Sequence, residues 1–180
     1  GSAKSFTAWQ NELLTRNIKS GQLLVTHRDF SDDESGPTVR QLLQDNINSG
    51  IVTVGNENDA LSVEELALLE YGGENDGLAA RVAQEVGATA LFLLNDKGGV
   101  YDNHEQELGQ VEESEWASIL LMAQNRSARS EKGTGGVFAK VTAAIAAASA
   151  GIDAYIDRAG TPVEQIIAGD TGTHFVANKS

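Results

Sequence analysis

Apolar positions recur at helical spacing in five stretches of this chain. Phe6 to Ile18 places Trp9, Leu13 and Leu14 on one face and predicts a helix. Thr38 to Asn48 does the same with Val39, Leu42, Leu43 and Ile47. Leu78 to Val86 predicts a third helix that stops at Gly87. In Ser114 to Arg126, the residues Trp116, Ile119, Leu120 and Ala123 form the expected buried side. Val137 to Ala150 is alanine-rich, hence a strong helix former, and Gly151 stops it. Between these lie short, continuously apolar runs that predict strands: Gln22 to Thr26, Ile51 to Val54, Thr89 to Leu94 and Ile152 to Ile156, with Thr173 to Val176 as a last one.

Polar segments fill the gaps. His27 to Pro37 carries Asp29, Asp32, Asp33 and Glu34 and reads as a loop or lid. Ser62 to Glu65 begins a short helical stretch in which Ser62 is placed to cap, and Gly72-Gly73 breaks it. Asn103 to Gln110 reads as polar and exposed, and Val163 to Ile167 as a short helix or strand. Strands alternate with helices, and several strands are continuously apolar rather than alternating. That pattern predicts an α/β fold with a mostly parallel sheet sandwiched by helices. Ligands of such sheets bind beyond the carboxyl ends of strands. The expected strand ends put Asn56 and Asp96 there, although turns favour the same residue types.

Composition narrows the classes. The 180 residues allow one domain with a sizeable core, taken as residues 3–180, with Gly1-Ser2 read as a remnant of tag cleavage. There is no cysteine, which excludes disulfides and thiolate metal sites, and the three histidines are scattered without ligand spacing. No apolar run approaches the roughly 20 residues of a membrane span, so no membrane partner and a cytoplasmic location are expected. The formal net charge of −13 repels a nucleic-acid backbone, so no nucleic-acid partner is expected either. The same charge repels nucleotides at long range. Any nucleotide site must therefore gather cations locally, and Arg126, Arg129, Lys132 and Lys140 are close in sequence.

Three segments carry candidate chemistry. Gly133, Thr134, Gly135 and Gly136 precede a helix whose first N–H groups and partial positive charge suit phosphate, and Lys140 lies about one turn in. Two acidic-amide clusters lie upstream, Asn56 to Ala60 and Gly73 to Gly77. Their Asn58, Asp59 and Asn75 offer hydrogen bonds to a small polar substrate, and Asp76 can orient Lys140 through a charge-assisted contact. The third segment, Asn95 to Gly99, follows an expected strand, and its Asp96 is a candidate for contact with a nucleotide or its metal. Each segment also has a reading as ordinary turn chemistry.

In this order, the segments resemble the glutamate 5-kinases of the amino acid kinase superfamily. The matching stretches are Val54 to Ala60, Gly73 to Ala80, Leu94 to Tyr101, Gly133 to Lys140 and Ala150 to Asp153, so the resemblance covers nearly the whole chain. It implies ATP-dependent phosphorylation of the glutamate side-chain carboxylate, the opening step of proline synthesis, with Mg²⁺ bridging the ATP phosphates. It also implies roles for single residues. Asn56, Asp59 and Asn75 look like glutamate-binding positions. Lys140 and Asp76 look like the catalytic pair. Asn95, Asp96, Gly133, Thr134, Gly135, Gly136 and Lys140 look like nucleotide positions.

The departures from that family are specific. Its opening strand with a K-x-G-[ST] motif and its T-S-G-A loop have no counterpart before Gln10, so the first third of the fold, including a catalytic lysine, is expected to be missing. Glu74, Asn95 and Gly55 replace the family's aspartate, threonine and apolar residue. Missing inner strands would expose apolar sheet edges, so a homo-oligomer or a complementary N-terminal segment is an expected partner beside glutamate and ATP. The alternatives to a glutamate kinase are a non-catalytic ligand-binding or assembly module on the same fold, and a superfamily kinase for another small substrate.

Overall fold

The computed structural model describes residues 2–58, 74–128 and 136–178. The chain divides into two compact units, Gly1–Val63 and Glu64–Ser180.

In the first unit, helix α1 (Ser2–Thr15) leads into strand β1 (Ser20–Val25). Helices α2 (His27–Ser31) and α3 (Ser35–Asn48) cross over to strand β2 (Val52–Glu57). The two strands are parallel, with Ser20 opposite Val52 and Val25 opposite Glu57. A parallel pair needs such a crossover, because no tight turn can join its ends. Two sequence expectations are corrected here. The segment 27–37 is two helices joined by a turn at Asp32 to Glu34 rather than a loop or lid: the Asp29 carboxylate accepts hydrogen bonds from the Thr26 backbone N–H (2.6 Å) and hydroxyl (3.0 Å), which caps α2. Asn56 lies inside β2, opposite Leu24, rather than just beyond a strand, because β1 continues to offer pairing partners as far as Val25.

Burial in this unit is thin. Val25, Phe30 and Leu43 are its buried apolar side chains among the described residues, while Trp9, Leu14, Leu42 and Ile47 of its helices are exposed. The Asn46 side chain donates to the Thr53 hydroxyl (3.0 Å) and ties α3 to β2.

The second unit contains α4 (Glu74–Glu85), β3 (Ala90–Asn95), β4 (Gln110–Val111) and a 3-10 turn (Glu113–Glu115). There follow α5 (Trp116–Ala128), α6 (Gly136–Ser149), β5 (Asp153–Arg158), α7 (Val163–Ala168) and β6 (Thr173–Phe175). The sheet order is β3-β5-β6-β4. β3 with β5 and β4 with β6 are parallel; β5 with β6 is antiparallel. The fold is thus α/β with parallel pairing dominant and helices packed against the sheets.

Alanine makes the core close. Ala139, Ala143, Ala144, Ala147 and Ala148 of α6 are buried, and side chains this small let the helix approach α4, α5 and β5. Gly151 follows at φ +82, a left-handed conformation that ends the helix and turns the chain into β5. Ala154, Ile156 and Phe175 of the sheet join the same cluster. Alternation along β5 sends Tyr155 to the opposite face, where it stacks between Phe92 (centroids 5.1 Å apart) and His174 (4.4 Å). His174 Nε2 lies 2.8 Å from Asp153 Oδ1, so this histidine has a structural partner.

Candidate functional site

The second unit holds a cavity of about 290 Å³ at the carboxyl end of β3. Its walls come from the loop Asn95 to Gly99 with Tyr101, from Arg126 and Ser127 of α5, from Gly136, Val137 and Lys140 of α6, and from Ile156 of β5.

Asn95 shapes the loop. Its Oδ1 accepts from the backbone N–H groups of Lys97 (2.6 Å) and Gly98 (2.9 Å), and its Nδ2 donates to the Gly98 carbonyl (2.8 Å). The asparagine side chain thus imitates a backbone turn and holds it closed. Gly99 is required by contact: a Cβ there would meet the Thr173 hydroxyl at 2.6 Å. That hydroxyl, on a buried threonine, donates to the Leu108 carbonyl (2.6 Å) and accepts from the Val100 N–H (2.8 Å). It therefore fastens β6 to the segment that walls the cavity.

Lys140 and Asp76 meet although 64 residues separate them. The ammonium donates to both carboxylate oxygens, at 2.7 and 3.0 Å. Both side chains are largely shielded, with 16% and 24% of their surface exposed, so the pair is more than a solvated surface contact. Two of the three ammonium hydrogens are committed to Asp76. α6 begins at Gly136, and Lys140 is its fifth residue, placing the cation at the end of the helix that also carries the positive pole of the backbone dipole.

The charge at the cavity opposes that of the chain. Lys97, Arg126 and Lys140 line it against one carboxylate, Asp96. Tyr101 keeps its proton: the Glu107 carboxylate, with burial and a hydrogen bond to that carboxylate adding to it, pushes the phenol above its ordinary pKa. Among the described residues no group of three His, Asp or Glu side chains could hold a metal ion by itself. Among the described residues lining the cavity, Asp96 is the one carboxylate that could meet a divalent ion.

Of the residues expected from sequence, Lys140, Asn95, Asp96 and Gly136 line the cavity, and Asp76 touches it through Lys140. Asn75 is exposed in the first turn of α4, not in a loop. Asn56 belongs to the first unit, where its side chain donates to the Glu57 carbonyl (3.1 Å). Asp59, Gly133, Thr134 and Gly135, like Arg129 and Lys132, lie outside the described residues. The sequence reading took Arg126 as one cation among four; its hydrogen-bonding role at the wall, and that of Tyr101, was missed. Both depend on a contact closed between segments more than 20 residues apart.

A family model described as "Amino acid kinase family" matches residues 5–156. A glutamate 5-kinase of Streptococcus pneumoniae is 32% identical over 177 residues, covering 95% of this chain and 47% of its own length. The chain therefore spans about half the length of the curated relatives it matches. Among solved structures, a Giardia carbamate kinase superposes with a TM-score of 0.62 at 14% identity, covering 96% of this chain and 68% of the other. A second structure of carbamate kinase from Giardia lamblia, bound to AMP-PNP, gives a TM-score of 0.58 at 17% identity, covering 77% and 44%. At identities this low the superpositions show a shared fold alone.

Proposed function

The chain belongs to the amino acid kinase family, and on that premise we propose that its second unit takes ATP in the cavity and that the protein phosphorylates the side-chain carboxylate of glutamate. The observation that carries this reading is the Lys140–Asp76 pair at the wall of a cation-lined cavity. ATP supplies the transferable phosphoryl group, with a divalent cation, taken as Mg²⁺, offsetting its charge. Everything else falls to positioning and electrostatics. Asp76 holds the Lys140 ammonium in one place before any ligand arrives, so the cost of ordering a lysine is already met. Lys140 then stabilises charge developing on the transferring group. Gly136 and the first turn of α6 offer N–H groups to phosphate oxygens, and Asn95 keeps the loop beneath them closed.

The acceptor rests on different support. Similarity to glutamate 5-kinases at 32% identity favours glutamate over the carbamate of the structural neighbours. Asn75 of the second unit is the position proposed to hold it.

The test is ADP release by this chain with ATP and Mg²⁺, with and without glutamate. Lys140→Met is expected to lower glutamate-dependent release by about 100- to 1000-fold, the usual scale for removing one electrostatic stabiliser of a transition state. Release unaffected by that substitution overturns the role of Lys140. Release that responds to carbamate and not to glutamate overturns the acceptor, and tight ATP binding without release identifies a binding module.

A further inference from the structure

Arg126 leaves α5 and crosses to the turn that follows Tyr101. Its Nη1 donates to two backbone carbonyls, Tyr101 (3.0 Å) and Asp102 (2.7 Å). Its Nη2 donates to the Glu105 carboxylate (2.9 Å). Arg126 and Tyr101 both line the cavity, so this one side chain links two of its walls. From these contacts we infer that Arg126 is the positioning residue of the nucleotide site: it fixes the Tyr101–Glu105 turn against α5 and thereby sets the shape of the cavity wall.

Three features of the turn require such a clamp. The turn is short, and its own bonds all run through Asp102: its N–H donates to the Gln106 carbonyl (2.8 Å), its carbonyl accepts from the Glu105 N–H (3.2 Å), and its Oδ1 accepts from the N–H groups of His104 (2.8 Å) and Gln106 (2.9 Å). Glu105 sits at φ +60, a left-handed conformation that a glutamate adopts only when its surroundings impose it. The Tyr101 and Asp102 carbonyls point at the same guanidinium; without it the Tyr101 carbonyl loses that donor at a half-buried wall, and the Asp102 carbonyl keeps the longer bond from the Glu105 N–H (3.2 Å). A planar fork with five N–H groups reaches two carbonyls and a carboxylate together; a lysine ammonium offers a point charge on a flexible stem.

Charge and geometry are therefore separable. Because two of its partners are uncharged carbonyls and Glu105 is largely exposed, Arg126 also keeps much of its charge at the cavity. If charge alone matters, Lys serves as well as Arg. If the fork matters, it does not.

This inference rests on the nucleotide reading above, and the experiment separates the two. ATP affinity is measured by calorimetry for the whole chain, for Arg126→Lys, for Arg126→Ala and for Glu105→Gln, alongside amide exchange of residues 100–108. Arg126→Lys is expected to weaken ATP binding about tenfold, nearly as much as Arg126→Ala, and to speed exchange in 100–108 while α6 and β5 keep their protection. Glu105→Gln, which leaves both carbonyl bonds, is expected to change ATP affinity less than twofold. Full affinity in Arg126→Lys overturns the positioning role in favour of charge. A wild-type chain that takes up no ATP overturns the nucleotide reading; the clamp is then decided by exchange, and unchanged exchange in Arg126→Lys overturns it. Where Arg126→Ala fails to fold, Arg126→Lys carries both readouts.

Discussion

The two units bury their side chains to different depths, and the candidate chemistry follows the deeper one. The second unit has one continuous core from Ala80 to Phe175, into which α4, α5, α6 and the sheet all contribute. The first has a two-stranded sheet and three buried apolar side chains among its described residues. Two-stranded sheets are marginal in water without a packed face. Consistent with that, Leu24 and Val52 of its strands are 42% exposed, and the helix residues Trp9, Leu14, Leu42 and Ile47 are more exposed still. A cavity that must hold a lysine, an arginine and a closed loop within tenths of an ångström needs a rigid floor. Ile156 supplies it directly, since it belongs both to the core and to the cavity wall. Site precision here is thus a property of α6 and β5, and an acceptor site that used Asn56 would draw on a less tightly packed support.

The largest effect that tests this contrast is on stability. Phe175→Ala removes a fully buried ring from the core and is expected to cost about 3–5 kcal/mol, read by urea denaturation. Phe30→Ala removes a ring just as buried, but from a unit with little else inside. Amide protection is expected to collapse across β1 and β2 while α6 and β5 keep theirs. Loss of protection in both units from Phe30→Ala would show one shared cooperative core and would break the comparison.

A smaller effect places an acid-sensitive corner in each unit. The Asp32 carboxyl is held below the ordinary aspartate range first by the Ser35 N–H, then by the Ser35 hydroxyl and Glu34 N–H, at the start of α3. The Asp102 carboxyl is lowered first by the Gln106 N–H, and the His104 N–H adds to it. A depressed folded pKa means stability that is complete above the unfolded value and is lost as pH falls through the folded one. Both corners should therefore stay intact at neutral and mildly acid pH. They should loosen only below the ordinary aspartate range, seen as faster exchange at Ser35 and at Gln106. Loosening of the Asp102 turn alone, near pH 6, would assign it to another group.

How much of this could be read from the chain alone depended on how local the cause was. Helix α6 was legible within a residue, because alanine propensity and the Gly151 stop are local. The order of the motifs pointed to the meeting of Asp76 and Lys140. Helix α2 was missed, although Thr26 and Asp29 stand three apart as in a capping box; the run of acids suggested a loop instead. β2 was cut short at Val54 because what extends it through Glu57 is pairing with Leu24 and Val25, a partner that periodicity cannot supply. The Arg126 clamp was out of reach for the same reason: carbonyls carry no sequence signature, and these lie 24 and 25 residues away.

The central claim is that the cavity of the second unit is where ATP binds. Amide exchange of the whole chain, with and without ATP and Mg²⁺, tests it most directly. Slowed exchange is predicted in Lys97 to Tyr101 and in the first turn of α6, with β1 and β2 unchanged. Slowing confined to the first unit, or no slowing at either of these segments, would contradict it.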